Sequence, residues 1–163
     1  MILADTNMLS TFLKVGRLKL LSDVFNAKAL NVSPNVKKEL KAGIGQGIHG
    51  LEGASDCLKA GTILVLETTS REKELADGMP QSFGRGERDS LAICKERKVA
   101  FLTNERKVVN YCGKNGIECF DLYDILSSLW KLKILTKAEV RLLIGEIEAE
   151  DNLLIPSKDS ILD

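Results

Sequence analysis

Met1-Ile2-Leu3-Ala4-Asp5-Thr6-Asn7-Met8-Leu9 is the stretch whose reading decides the fold. An apolar run of strand length ends on a carboxylate, and a helical stripe of Met8, Leu9, Phe12 and Leu13 begins at once. The same unit recurs along the chain. Ala29 to Val32, Thr62 to Leu66, Val99 to Thr103 and Ile117 to Phe120 are further apolar runs of strand length, and stretches such as Leu18, Leu21, Val24 and Phe25 between them have helical spacing. Strand-then-helix repetition predicts an α/β fold, a parallel sheet covered by helices on both faces. Two amphipathic segments follow Asp121: Leu122, Ile125, Leu126, Leu129 and Trp130, then Val140, Leu143, Ile144 and Ile147. They predict a C-terminal helical hairpin. Gly61 and Gly116 stand where helices should stop. The glycine-dense residues 42–50 are expected to form a mobile loop, and the polar end from Pro156 to Asp163 a loosely held tail. The expected organisation is one domain over 1–163, with an α/β core to residue 126, C-terminal helices over 127–150 and the tail over 151–163.

Composition narrows the functional classes. A chain of 163 residues with 44% hydrophobic content can bury one ordinary core. Lys plus Arg (23) balances Asp plus Glu (23), so attraction to nucleic acid has to come from a local patch. Cys57, Cys94, Cys112 and Cys119 contain no C-x-x-C pair and there is one histidine, which argues against a zinc site or a disulfide framework and for reduced, structural cysteines. The N-terminus lacks the basic and apolar regions of a signal peptide, and no run approaches the ~18 apolar residues of a membrane span. A cytoplasmic protein with no membrane partner is expected.

The acidic residues fall at informative places. Asp5 ends the first strand, the sheet edge where open parallel sheets bind ligands. Asp5, Thr6 and Asn7 are also good helix caps, the commoner reading for any one of them. Glu39 follows a well-marked helix start, with Ser33 as N-cap and Pro34 in the first turn, and borders the face that Val36 and Leu40 would bury. A surface glutamate paired with a neighbouring lysine is the bland alternative. In Gly84-Arg85-Gly86-Glu87-Arg88-Asp89-Ser90, Glu87 and Asp89 occupy a helix's first turns, where acids favour the dipole anyway. Two residues apart, they point in different directions, which implies a division of labour. Leu102-Thr103-Asn104-Glu105-Arg106-Lys107 ends another strand as Asp5 does, again with capping as the alternative.

In order and setting, Asp5-Thr6-Asn7, Glu39, Asp89 and Thr103-Asn104-Glu105 resemble the motifs of the PIN domain family. The resemblance spans residues 1 to about 126, and Gly86-Glu87 before the third acid resembles a subgroup carrying a Gly-Glu pair. It implies a three-layer α/β/α sandwich with a five-stranded parallel sheet in the order 3-2-1-4-5, which sets the ends of strands one and four side by side. The last acid of the family motif is usually aspartate, whereas this chain has Asn104 and the longer Glu105. The acids therefore rank Asp5, Asp89, Glu39, Glu105 and then Glu87, which would compensate if it turned inward.

The resemblance implies a divalent-metal-dependent ribonuclease of VapC-like type, with Asp5, Glu39, Asp89 and Glu105 as catalytic and metal-holding residues. Oxygen-only donors without histidine suit Mg2+ or Mn2+, and such an ion polarises a scissile phosphate and activates water with no nucleophilic side chain. Thr6, Asn7, Thr103 and Asn104 are candidates for hydrogen bonds to phosphate or to water on the metal, and Arg85, Arg88, Arg106 and Lys107 for the RNA backbone, though basic runs are usually solvated faces. The settings implied are the toxin of a toxin–antitoxin pair, with an antitoxin protein as partner, or RNA processing; a homodimer through the Trp130 helices is an option. The rival is a catalytically weak PIN-like module that binds RNA or protein. Two other hydrolase-like readings fail: a haloacid-dehalogenase-like phosphatase needs an aspartate where Asn7 stands, and a receiver-like regulator needs one after the third strand, where Thr68 and Thr69 stand. Gly45-x-Gly47-x-x-Gly50 matches the dinucleotide fingerprint but follows a helix, so phosphate-cradling geometry is missing, and His49 within it is a lone loop histidine.

Overall fold

The computed structural model describes residues 1–163. In chain order the elements are β1 (Ile2–Ala4), α1 (Thr6–Lys14), α2 (Lys19–Val24), β2 (Leu30–Val32), α3 (Pro34–Gly45), α4 (Glu52–Ala60), β3 (Ile63–Val65), α5 (Ser70–Asp77), α6 (Arg85–Arg97), β4 (Ala100–Leu102), α7 (Arg106–Asn115), β5 (Cys119–Phe120), α8 (Leu122–Lys131), α9 (Lys137–Asp151) and α10 (Lys158–Leu162). The five strands form one sheet in the order β3-β2-β1-β4-β5, and every pairing is parallel. Each expected strand is present, trimmed at its ends.

The period-two alternation of a strand distributes the core. Ile2 and Ala4 of β1 join Val32, Ile63 and Leu102 in a large cluster under α1, α3, α4 and the C-terminal helices. Leu3 of the same strand points the other way and meets Phe101 and the buried faces of α5, α6 and α7. The result is a three-layer α/β/α sandwich. Gly61 (φ 75°) and Gly116 (φ 65°) end α4 and α7 in the left-handed region, as their positions foretold. None of the helices is long and apolar enough to cross a membrane.

Two expectations need correcting. Residues 42–50 are not one mobile loop: α3 runs through Gly45, and Gly43 is packed so closely that an added Cβ would lie 2.6 Å from Leu51 Cδ1. There glycine serves helix packing, and only the turn after it is irregular. The tail is not loose either, because Ile155, Ile161 and Leu162 are buried in the larger cluster. Trp130 Nε1 donates to the Ile161 carbonyl at 2.6 Å and the Tyr123 hydroxyl to that of Pro156 at 2.8 Å. Three apolar side chains spaced among polar ones were enough to dock a short helix that composition alone had hidden.

Candidate functional site

The strand order reverses between β1 and β4, where Ala4 pairs with Leu102 and the Asp5 amide donates to the Leu102 carbonyl at 3.0 Å. Loops leaving these two strand ends diverge and leave a crevice. Asp5 stands at its floor, 3% exposed. It does cap α1, accepting from the Met8 amide at 2.7 Å, but its second oxygen accepts from the hydroxyl of fully buried Thr103. Thr103 Oγ1 in turn accepts from the Glu105 amide at 3.2 Å, so one side chain ties the two strand ends together. Burial pushes the Asp5 carboxyl up to about 7. Hydrogen bonds from Thr103 and Met8 oppose that rise, and the negative charges of Glu87 and Glu105 add to it.

Three more carboxylates reach the same crevice from three helices. Glu39 on α3 accepts from the Thr6 hydroxyl and from the Gly86 amide at 3.2 Å. Gly86 makes that approach possible, since a Cβ there would sit 2.7 Å from Glu39 Oε1 and 2.9 Å from Val36 Cγ2. Glu105 is the N-cap residue of α7 but makes no side-chain cap; its carboxylate extends to Asn7 Nδ2, which donates at 3.1 Å. Glu87 on α6 accepts from the Gly84 amide at 2.7 Å. Lys107 brings a cation, its Nζ 3.8 Å from Glu87 Oε2 and held by the Ser82 carbonyl at 2.9 Å. Asp5, Thr6, Asn7, Glu39, Glu87, Glu105 and Lys107 thus line a cleft of about 260 Å³.

The structure brings together Asp5, Glu39 and Glu105, and with them Glu87, but not Asp89. Asp89 takes a hydrogen bond from Asn35 Nδ2 at 2.6 Å and lines a separate groove with Arg85 and Arg88. Successive helical residues are rotated by about 100°, so a two-residue step turns the side chain to the far side of α6. That rotation places Glu87, expected to rank below Asp89, in the cleft and leaves Asp89 outside it. Thr6, Asn7 and Thr103 donate to the carboxylates themselves, not outward to a ligand, while Asn104 and Arg106 are exposed and line neither concavity. Lys107, a candidate for the RNA backbone, lines the cleft, whereas sequence reasoning missed Lys38 and Lys73 in the groove, which the packing of α3 and α5 against α6 brings into view.

A doubly wound parallel sheet with carboxylates from four separate elements gathered at its switch point defines an acid-centred α/β protein. The chain belongs to the PIN domain family: the model of that family, a PIN domain, matches residues 1–158. PIN domains are in general nucleases, and they generally use divalent metals such as Mg2+ or Mn2+. No curated protein and no solved structure matches the chain at a significant level. No group of three or more His, Cys, Asp or Glu side chains is arranged to enclose a metal ion unaided. Each cleft carboxylate leans toward its own hydrogen-bond donor instead.

Proposed function

We propose that this protein is a divalent-metal-dependent ribonuclease that hydrolyses RNA phosphodiester bonds in the cleft floored by Asp5. The observation that carries this is the gathering of Asp5, Glu39, Glu87 and Glu105 in one cleft, with Asp5 buried at its floor. Gathered negative charge of that kind favours a cation. The donors are all oxygen, and at roughly 30 Å³ per water the cleft of about 260 Å³ has room for an ion that keeps part of its hydration. Mg2+ and Mn2+ are such ions, taking one or two carboxylates directly and reaching others through water.

Asp5, Glu39, Glu87 and Glu105 are the residues proposed to hold the ion. When bound, it supplies neutralisation of phosphate charge and acidification of water. The chain's own groups do the positioning. Thr103 fixes the Asp5 carboxylate, Thr6 and the Gly86 amide fix Glu39, and Asn7 restrains Glu105, so the longer glutamate that stands where the family has aspartate is steered back to the cleft. Lys107 adds a positive charge at the mouth that can meet a phosphate oxygen.

The test is cleavage of a labelled RNA by the purified protein with Mn2+ or Mg2+. Asp5→Asn is expected to lower the rate by on the order of 10³-fold, because metal stabilisation of transition-state charge is worth several kcal/mol and about 1.4 kcal/mol is tenfold. The circular dichroism spectrum should stay unchanged. Wild-type protein that holds RNA but never cuts it with either metal would establish the binding-module reading instead. Growth arrest on induced expression, relieved by Asp5→Asn, is the outcome expected of a toxin; unaffected growth favours RNA processing.

A further inference from the structure

Back to back with the acidic cleft lies a larger groove of about 790 Å³, between α3, α5 and α6. The wall between them is the α3–α6 packing at Gly86. From α3, Glu39 faces the cleft while Asn35 and Lys38 face the groove; from α6, Glu87 faces the cleft while Arg85, Arg88 and Asp89 face the groove. Lys73 on α5 completes the basic lining. None of the cations Lys38, Lys73, Arg85 and Arg88 lies within ion-pair distance of a carboxylate. Arg88 is held by one hydrogen bond, Nη1 to Gln81 Oε1 at 3.0 Å, and its Nε is buried with no partner. Buried guanidinium nitrogens are normally satisfied, so packing holds this side chain with its charge uncompensated.

We propose that this groove binds the phosphate backbone of the RNA strand whose scissile phosphate lies across the ridge in the acidic cleft. The inference rests on the ribonuclease reading and adds a second site to it. A cleft with four carboxylates and one lysine repels its polyanionic substrate, and a chain with zero net charge offers no compensating global field. Local cations one helix width away supply it. The groove has about three times the volume of the cleft, which suits a length of strand and not a single ion. Asp89 is spent on orienting Asn35, whereas Glu67 and Asp77 remain as opposing charges in the lining and limit affinity.

The experiment uses the full chain carrying Asp5→Asn, without metal, and fluorescence anisotropy of a labelled single-stranded RNA over a salt series. In that background Lys38→Gln, Lys73→Gln and Arg85→Gln together, all at exposed positions, should weaken binding at least tenfold and flatten the plot of log affinity against log salt by roughly 0.7 for each phosphate no longer neutralised. Asp77→Asn should do the opposite and tighten binding. Unchanged affinity and slope in the triple variant would overturn the groove, as would tighter binding in it. Because binding is read without metal, the groove stands or falls here whether or not the wild-type protein cuts RNA.

Discussion

Glu87 and Asp89 sit two residues apart in one helical turn, yet they belong to different chemistries. Glu87 shares a cleft with three other carboxylates and one lysine; Asp89 shares a groove with four cations and is tied to an asparagine. What separates them is a rotation of about 200° around α6. A helix packed edge-on against α3 at a glycine therefore gives an acidic face to one side and a mostly basic face to the other. Charge type alone does not assign a carboxylate to a metal; the direction of its Cα–Cβ bond relative to the ridge does.

The largest effect on folding stability is expected from unclamping the groove's outer wall. α5 is fixed to α6 by Arg97, whose Nε donates to Glu72 Oε1 at 2.6 Å and whose Nη2 donates to Glu72 Oε2 at 2.9 Å, with Glu72 1% exposed. Removing one partner of a buried pair costs about 3–5 kcal/mol; Arg97 is 28% exposed and can turn partly to water, so Glu72→Gln should lose about 3 kcal/mol in denaturant unfolding. The hydrogen bonds of the Arg97 guanidinium hold the Glu72 carboxyl below the usual carboxylate range, against the opposing effect of burial. A folded-state value below the unfolded one means stabilisation that is complete above the unfolded value, about 4.3, and is lost as pH falls through the folded value. Wild-type stability should therefore drop in that acid window, and Glu72→Gln should remove this part of the drop. An unaltered acid profile would show that the pair carries no linkage.

Glu87→Gln should cut metal-dependent cleavage by about 10²-fold, as loss of a metal-orienting group does, while Asp89→Asn should leave it within about threefold. The reverse order would place Asp89 at the metal and break the division between the two faces. Gly86→Ala attacks the ridge: the new methyl must displace Glu39 and Val36, so about 1–3 kcal/mol of stability should go, and cleavage with it. A variant of wild-type stability with full activity would show that the close approach at Gly86 is unnecessary.

Much of this was legible from the chain. The five strands declared themselves by apolar runs of strand length, Asp5 and Glu105 stood out by following such runs, and Glu39 by bordering the buried face of a helix. What was not legible depended on rotation and pairing. Whether Glu87 or Asp89 faces the crevice is fixed by the phase of α6, which Gly86 sets through its close approach to Glu39 and Val36, a tertiary fact. Thr6 and Asn7 have the composition of caps and of ligand donors alike, and only the positions of Glu39 and Glu105 show that they hold carboxylates. The docked tail depended on the surface that α8 and α9 leave open, to which no local pattern points.

The smallest effect is expected on the acidic side of the ridge. Lys107 is the one cation in the cleft, half exposed, anchored by the Ser82 carbonyl and lying 5.8 Å from the Phe83 ring centroid. A pair this exposed contributes little to folding, so Lys107→Met should leave stability within about 0.5 kcal/mol. Its charge nevertheless competes with a metal for Glu87. Two unit charges about 4 Å apart in water interact by about 1 kcal/mol, and at the larger separations of a hydrated ion by less. Lys107→Met should accordingly lower the Mn2+ concentration for half-maximal cleavage by roughly twofold to fivefold, and added salt should shrink the difference because exposed charges are screened. In the basic groove the same kind of change, Lys38→Gln, should leave the Mn2+ midpoint where it was and weaken RNA binding instead. If both substitutions moved the metal midpoint equally, the α3–α6 ridge would not be separating two electrostatic environments.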